Sequence, residues 1–595
     1  MKKDSEALLT VTRFLDPVDL MEPLNEETTR EGDDFLKIRT PGKLFIDKSI
    51  FIYKFLQDSS ECNVIFRPRR FGKSLNLSML KYFLSDQIDP VQQSRLFDGL
   101  QISQIPKFCE SQMGKYAVVY LGLKQCNEPT WDRLKSRIAS KMKDMLMDHL
   151  EFIDALLPVA DSAVLLKDRI ISLRDEDMAE LPKNLIRCLD DQNRSVIFLV
   201  DEYDDPKMHS QDEELRDTFF ENLYSDALKS NTSLYKACLV GVAEIRGKGI
   251  LSGVNNLGIA SLQDTVFDDC FGFVAEEVKL ALQVMFSLNA NEAETEWSKP
   301  RGIREWYNGY CFGSQQIVNP WSFSRYLYEA RTFQGYWGTT RGCDTIINLI
   351  RDDTYFATKL IPSLQYLLRM ETINGIETYK KLDISQFDPH MGIRRDPTWS
   401  NDKVFHFLCM EGYLTYQNTV QQRGQIWIPN RELFDEWGKI VSRFAGFESA
   451  KSMNCFFADL IDATITFDVH PIERAISMKI NTIPSRSEYT YECFVCGLLT
   501  VLNSELGRSV MDKRRRSIII EFKKAHDFSK LKDKAKEALK QIFSRRYFDS
   551  SPTDHNILLL GCAISDDKQV EIASAVLGTG PQRSVDMETV SATLV

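Results

Sequence analysis

The chain has 595 residues, 43% of them apolar and 27% charged, with 74 Lys and Arg against 85 Asp and Glu. Such ordinary usage excludes a wholly disordered chain, a collagen-like fibre and a simple coiled coil, and the length predicts about four domains of roughly 150 residues. The net charge of −11 excludes a protein that coats phosphate over its whole surface, so nucleic-acid contact would have to come from local basic patches.

In chain order, residues 1–35 are polar and acidic and read as a loose arm. Buried strands are expected at Asn63–Phe66, Ala117–Leu121, Val196–Val200 and Ala237–Val242. Stretches with helical apolar spacing lie between them, at Leu75–Phe83 and Trp131–Leu150. Continuous apolar strands alternating with helices predict an α/β domain on a parallel sheet. From about 276 to 450 the pattern becomes mainly helical, with aromatic islands at Trp306–Gly313 and Asn319–Phe323. Core packing is the favoured reading of these islands over base stacking. Beyond 450 a helical run at Tyr491–Leu502 leads to the basic turn Lys513–Arg516 and a strand at Ser517–Lys523. A charged helix at about Phe528–Tyr547, a strand at Ile557–Gly561 and a mobile tail from 573 follow.

Thirteen cysteines with no paired framework predict a reducing, intracellular setting, cytoplasm or nucleus. No run of eighteen apolar residues exists, so no membrane contact is expected, and the start MKKDSEALLT lacks the apolar stretch of a secretory signal. Cys493 and Cys496 read as small core residues, and the histidines, His209 and His470 among them, form no ligand-spaced cluster.

The first chemical signal is Arg67-Pro68-Arg69-Arg70-Phe71-Gly72-Lys73-Ser74, between an expected strand and an expected helix. That is the setting of a phosphate loop. Gly72 lets backbone approach phosphate, Lys73 can reach β- and γ-phosphates, and the Ser74 hydroxyl can bind Mg²⁺. Arg67 stands where such a loop usually has its first glycine, and a basic surface loop is the competing reading. Arg69 and Arg70 suit either nucleotide phosphate or a nucleic-acid backbone. Val196–Val200 then runs into Asp201-Glu202, as in a Walker B strand: Asp201 for the Mg²⁺ shell, Glu202 to orient or deprotonate water. Asp204 and Asp205 read as loop.

These residues resemble a family. Phe66–Leu75 looks like the "RPRRFGKS" loop of the AAA-ATPase-like domain, in which the missing first glycine is normal. Phe45–Ser49 is similar to its "VDKT" segment, Leu251–Leu257 to "FSGLNNL", Trp306–Gly313 to "WYDGYRFG" and Asn319–Ser322 to "NPWS". Val240-Gly241 and Glu244 depart from the Thr-Gly and Arg often found there. The family's domain is commonly joined to a C-terminal PD-(D/E)XK nuclease-like domain. The resemblance therefore implies that Glu521 of Glu521-Phe522-Lys523 ligates a metal and that Lys523 activates water, on one face of a strand. Gly507-Arg508-Ser509-Val510 resembles "GRxD" but has Val510 at the acid position; Asp512, two residues on, keeps the same face and is the substitute candidate. Glu488 or Glu492 could add a ligand, and Gln541, in a stretch similar to the family's "ALEQI" helix, could face the site.

The expected architecture is thus α/β: a P-loop NTPase parallel sheet at 36–275, a mainly helical region at 276–450 and a PD-(D/E)XK-like α/β domain at 451–572. The expected function is binding and hydrolysis of ATP with Mg²⁺, coupled to DNA or RNA binding or cleavage, with Mn²⁺ as an alternative ion at the nuclease-like site. The alternative is an ATP-dependent conformational switch whose C-terminal module binds nucleic acid or a protein partner without catalysis. Self-assembly into oligomers is compatible with either.

Overall fold

The computed structural model describes residues 34–39, 44–126, 128–150, 166–207, 213–229, 231–242, 257–329, 331–337, 401–418, 424–444, 516–525, 527–544, 556–565 and 569–577, with shorter pieces at 11–13, 363, 366–367, 370–373 and 376–384. The chain divides into two compact units. One is Met1–Trp337 with Asp383–Arg431; the other is Gly338–Leu382 with Glu432–Val595. Neither division falls at 275 or at 450.

The first unit is built on a five-stranded parallel sheet. Its strands and two of its helices are β1 (Cys62–Phe66), α1 (Lys73–Leu84), β2 (Ala117–Gly122), α2 (Trp131–Met147), β3 (Val196–Asp201), β4 (Leu234–Gly241) and β5 (Leu257–Ala260). The spatial order is β2–β3–β4–β1–β5, with every neighbouring pair parallel. The sheet forms because these strands are apolar on both faces. Ile65, Val118, Ile197, Leu199, Cys238 and Val240 point into a core shared with Leu77, Leu80 and Phe83 of α1 and with Phe51 and Phe55. Their chain neighbours Val64, Val119, Phe198 and Leu239 point the other way and are just as fully buried, beside α2 and the helix Leu181–Asp190. Each such side chain contributes about 1.5–3 kcal/mol by leaving water.

The four expected strands are present, and β5 is an addition. It is only four residues long and contains Gly258, too short for a period to emerge. Short hairpins also interrupt the stretch expected to be mainly helical. Beside helices such as Ala275–Phe286 and Pro320–Tyr328 stand β6 (Tyr310–Phe312) with β7 (Gln315–Ile317), and Thr415–Asn418 with Gly424–Trp427. Gly313, at φ 50, supplies the left-handed turn between β6 and β7. The Asn319-Pro320-Trp321-Ser322 motif is a helix start: the Asn319 side chain accepts from the Ser322 amide at 3.1 Å, and Pro320 occupies the first turn.

In the second unit, β8 (Arg516–Ala525), α3 (Leu531–Ser544), β9 (Asn556–Ser565) and β10 (Val570–Leu577) form a three-stranded sheet with a helix packed on it. β8 and β9 are parallel and joined through α3; β10 is antiparallel to β9. Gly561, paired with Glu521, lets α3 lie against the sheet: a Cβ there would run into the Ala535 carbonyl and the Leu539 amide. The Met370–Ile373 and Ile376–Tyr379 hairpin belongs to the same unit.

Candidate functional site

Loops leaving the carboxyl ends of parallel strands are where open α/β sheets bind ligands. Here the loop 67–72 leaves β1, turns through Arg70 (φ 71) and Gly72 (φ 78), and enters α1 with Gly72 as the N-cap. Space is not what requires glycine at 72, since a Cβ would meet nothing within 4 Å; the left-handed backbone is. The α1 N-terminus, with its unbonded amides and positive dipole end, faces this loop. Lys73 opens the helix, and its Nζ folds back to donate to the Arg67 and Pro68 carbonyls, each at 2.9 Å. Burial lowers its pKa, opposed by Glu202, Asp204 and Asp201. Ser74 follows, half-buried.

The acids come from β3. Because β4 lies between β1 and β3, Asp201 stands two strand spacings, about 10 Å, from the β1 line. Asp201 ends its strand buried, and its Oδ2 accepts from the Tyr120 hydroxyl at 3.3 Å. Glu202 has a left-handed backbone (φ 50), a costly conformation for a non-glycine residue that gathers at functional sites. Asp204 Oδ2 accepts from the Val242 amide at 2.9 Å, which ties the acid loop to the end of β4. Asp205 Oδ2 accepts from the Cys126 amide at 3.1 Å. Burial, then Glu202 and Asp204, push the Asp205 carboxyl up to about 7. Glu202, Asp204 and Asp201 thus lie near enough to act electrostatically on the Lys73 ammonium.

Arg67 fills the place of the usual first glycine, and it is fully buried. Its guanidinium donates to the carbonyls of Phe66 (2.7 Å), Ala260 (3.1 Å), Ser261 (2.9 Å) and Phe267 (3.1 Å) and lies over the Phe312 and Phe271 rings. Phe71 is buried edge-on against Tyr310 and Phe312, at 4.9 and 5.0 Å between ring centroids. The aromatic island therefore buttresses the loop through its core packing. Arg70 donates to the Tyr336 carbonyl at 2.9 Å and covers the Trp321 ring. Arg69 pairs through Nε with Glu411 Oε2 at 3.1 Å.

The fold thus brings Arg69, Gly72, Lys73 and Ser74 to the sheet edge that carries Asp201 and Glu202, while Arg70 is engaged with Tyr336 and Trp321. In the second unit Glu521 and Lys523 are half-buried on one face of β8, and the Gln541 amide of α3 donates to the Glu521 carboxylate. Glu244, His209, His470, Glu488, Glu492, Cys493, Cys496, Val510 and Asp512 lie outside the described residues. Among the described residues no three His, Cys, Asp or Glu converge as a metal site, and no helix is long and apolar enough to cross a membrane. Sequence reasoning missed the anchoring role of Arg67, the ties made by Asp204 and Asp205, and Glu411. An acid directly before the helix-ending Gly412 was the one local sign of Glu411.

Residues 32–251 match the AAA-ATPase-like family, described as "Predicted AAA-ATPase". The match covers the loop, the acid strand and the four strands β1–β4, and it supports ATP binding with Mg²⁺ by an ATPase. The chain is also similar to an "Uncharacterized protein in vnfD 5'region" of Azotobacter chroococcum mcd 1, 25% identical over 362 residues, or 60% of this chain and 59% of the relative. The aligned part is therefore under two thirds of that relative's length.

Proposed function

We propose that the first unit binds ATP with Mg²⁺ at the loop 67–74 and hydrolyses it. Gly72 and the first amides of α1 cradle the phosphates, and Lys73 exchanges its two loop carbonyls for β- and γ-phosphate oxygens. Ser74 and Asp201 hold the ion, which spreads the charge developing on the phosphate oxygens. Glu202 orients a water and takes its proton as the oxygen bonds to the γ-phosphorus and the bond to the bridging oxygen breaks, leaving ADP and phosphate. The observation that supports this reading is the convergence of the Lys73 ammonium with Asp201, Glu202 and Asp204 at the carboxyl edge of a parallel sheet. In a binding and turnover assay, Lys73→Ala should lose nucleotide affinity. Glu202→Gln should bind ATP normally and turn over about 10²–10⁴-fold more slowly. A Lys73→Ala protein that binds ATP like the parent would overturn the reading.

For the second unit we infer a nuclease-like site in which Glu521, with Asp512, holds Mg²⁺ or Mn²⁺ and Lys523 activates water on DNA or RNA. The Gln541–Glu521 contact and the shared strand face of Glu521 and Lys523 support it. Val510, in place of the acid the resemblance implies, favours the second reading, a module that binds nucleic acid or a protein partner without cutting and responds to ATP.

A further inference from the structure

The helix Asn401–Met410 ends against the phosphate loop. Glu411 continues its hydrogen bonding, with its amide donating to the Phe407 carbonyl at 2.9 Å, and Gly412 (φ 85) then stops the helix. The absence of a side chain at Gly412 lets the turn sit on the loop, since a Cβ there would be 3.0 Å from Pro68 Cβ. The Tyr310 hydroxyl fixes the turn by donating to the Gly412 carbonyl at 3.0 Å. This places the Glu411 carboxylate where a helix least tolerates one, at the negative end of its dipole, and only 6% of the side chain is exposed. Its Oε2 holds Arg69 Nε at 3.1 Å, and its Oε1 is buried with no hydrogen-bond partner. A carboxylate that breaks helix-end, burial and hydrogen-bonding rules together reads as a functional group. Its partner Arg69 is 44% exposed and also faces Glu202, Asp204 and Asp205.

We propose that Glu411 is a positioning residue: it aims the Arg69 guanidinium at the terminal phosphate of the bound nucleotide and keeps it from collapsing onto the acids of β3. The proposal rests on the reading of 67–74 as an ATP site. A guanidinium that is 44% exposed can bring its planar N–H donors to a phosphate, in exchange for other partners, in a geometry that a lysine ammonium cannot reproduce. Because ADP has no terminal phosphate to meet Arg69, Glu411 governs the preference for ATP over ADP and the rate of turnover, not the grip on the inner phosphates.

The test is ATP and ADP affinity, with kcat, for the full chain and for Lys73→Ala, Glu411→Gln, Arg69→Ala, Arg69→Lys and Glu411→Gln/Arg69→Ala. Lys73→Ala is the control for the site itself: ATP binding unchanged there sinks the ATP reading, and this proposal with it. With that control lost as expected, Glu411→Gln should lower ATP affinity about 10-fold. Its ADP affinity should stay within about 2-fold of the parent, a change within the reach of weak rim contacts. Arg69→Ala should match it, and the double variant should be no worse than Arg69→Ala alone. Arg69→Lys, which keeps the charge beside Glu411 and does not depend on Glu411→Gln folding, should also lose the ATP preference. Additive losses in the double variant, equal losses for ATP and ADP, or an ATP preference retained in Arg69→Lys would each overturn the proposal.

Discussion

Arg67 Nη2 donates to the Phe267 carbonyl at 3.1 Å, in a guanidinium that also holds the Phe66, Ala260 and Ser261 carbonyls. An arginine thus stands where a phosphate loop usually has glycine because it clamps the root of the loop to the end of β5. Burial lowers its pKa to about 10, against attraction from Asp264, Asp268 and Asp269, so it remains charged at neutral pH. Restoring the usual residue should therefore harm the protein. Arg67→Gly is expected to cost about 3 kcal/mol or more, because it strands buried carbonyls and opens a cavity between two aromatic rings. Denaturant unfolding followed beside the parent checks this; a glycine variant as stable as the parent, with tighter nucleotide binding, would refute it.

Asp205 makes stability depend on pH in a defined direction. Its folded-state pKa, about 7, lies above the ordinary carboxylate value, so the folded chain binds this proton more tightly than the unfolded chain. Its contribution is complete below about pH 4 and is lost as pH rises through 7. Asp205→Asn keeps an acceptor for the Cys126 amide and removes the repulsion from Glu202 and Asp204, at the loss of attraction to Arg69. The variant should match the parent near pH 4 and exceed it above pH 7, by about 1–3 kcal/mol. Melting temperatures taken across pH 4–8 measure the gap, and a gap that does not change with pH would refute the assignment.

Much of this was legible along the chain because β1 to β4 are largely apolar runs, and β1 and β3 each end in a chemically distinctive motif. The loop and the Asp201-Glu202 pair announce themselves through adjacent residues, and the fold's task is to bring the two strand ends to one edge. What stayed hidden depends on partners far away in sequence. Arg67 and Phe267 are 200 residues apart, and nothing local to Arg67 marks it as a clamp. Glu411 acquires meaning only from Arg69. Core packing is the favoured reading of Tyr310 and Phe312 from the sequence, but that they support the phosphate loop emerges only from Phe71, packed on both. In the second unit the β8–α3–β9 succession was readable from its periods, whereas the acid that would complete a metal site is a question of register, and Val510 and Asp512 lie outside the described residues.

Gly241 sets how closely the acid loop can approach β4. A Cβ there would lie 2.5 Å from Asp204 Oδ1 and 2.6 Å from Tyr203 Cε1. Gly241→Ala should displace Tyr203 and Asp204, break the Val242–Asp204 hydrogen bond and destabilise the unit by about 1–3 kcal/mol. If the acids at this strand end act on ATP, turnover should fall by more than ADP affinity does, since the added Cβ meets Tyr203 and Asp204, whereas the phosphate loop touches Gly241 through the Arg67 amide on its carbonyl, at 3.1 Å. Paired kcat and ADP-binding measurements separate the two, and equal losses in both would point to a general loosening of the unit.

Glu521 is the residue on which the second unit's two readings divide. The Gln541 amide donates to its carboxylate and so orients the group, and Lys523 projects from the same strand face. A metal-binding carboxylate in that position should be indispensable to cutting. With Mn²⁺ or Mg²⁺ and single- or double-stranded DNA, Glu521→Gln should lower cleavage at least about 10²-fold, since it removes a charge from the ion that stabilises the phosphodiester transition state. Asp512→Asn should then fall by a similar factor if Asp512 supplies the missing acid. Addition of ATP, compared in the parent and in Lys73→Ala, shows whether the two units communicate. A folded parent that binds DNA without cutting it would leave Glu521 and Lys523 as a binding surface, with Val510 marking where the metal acid was lost.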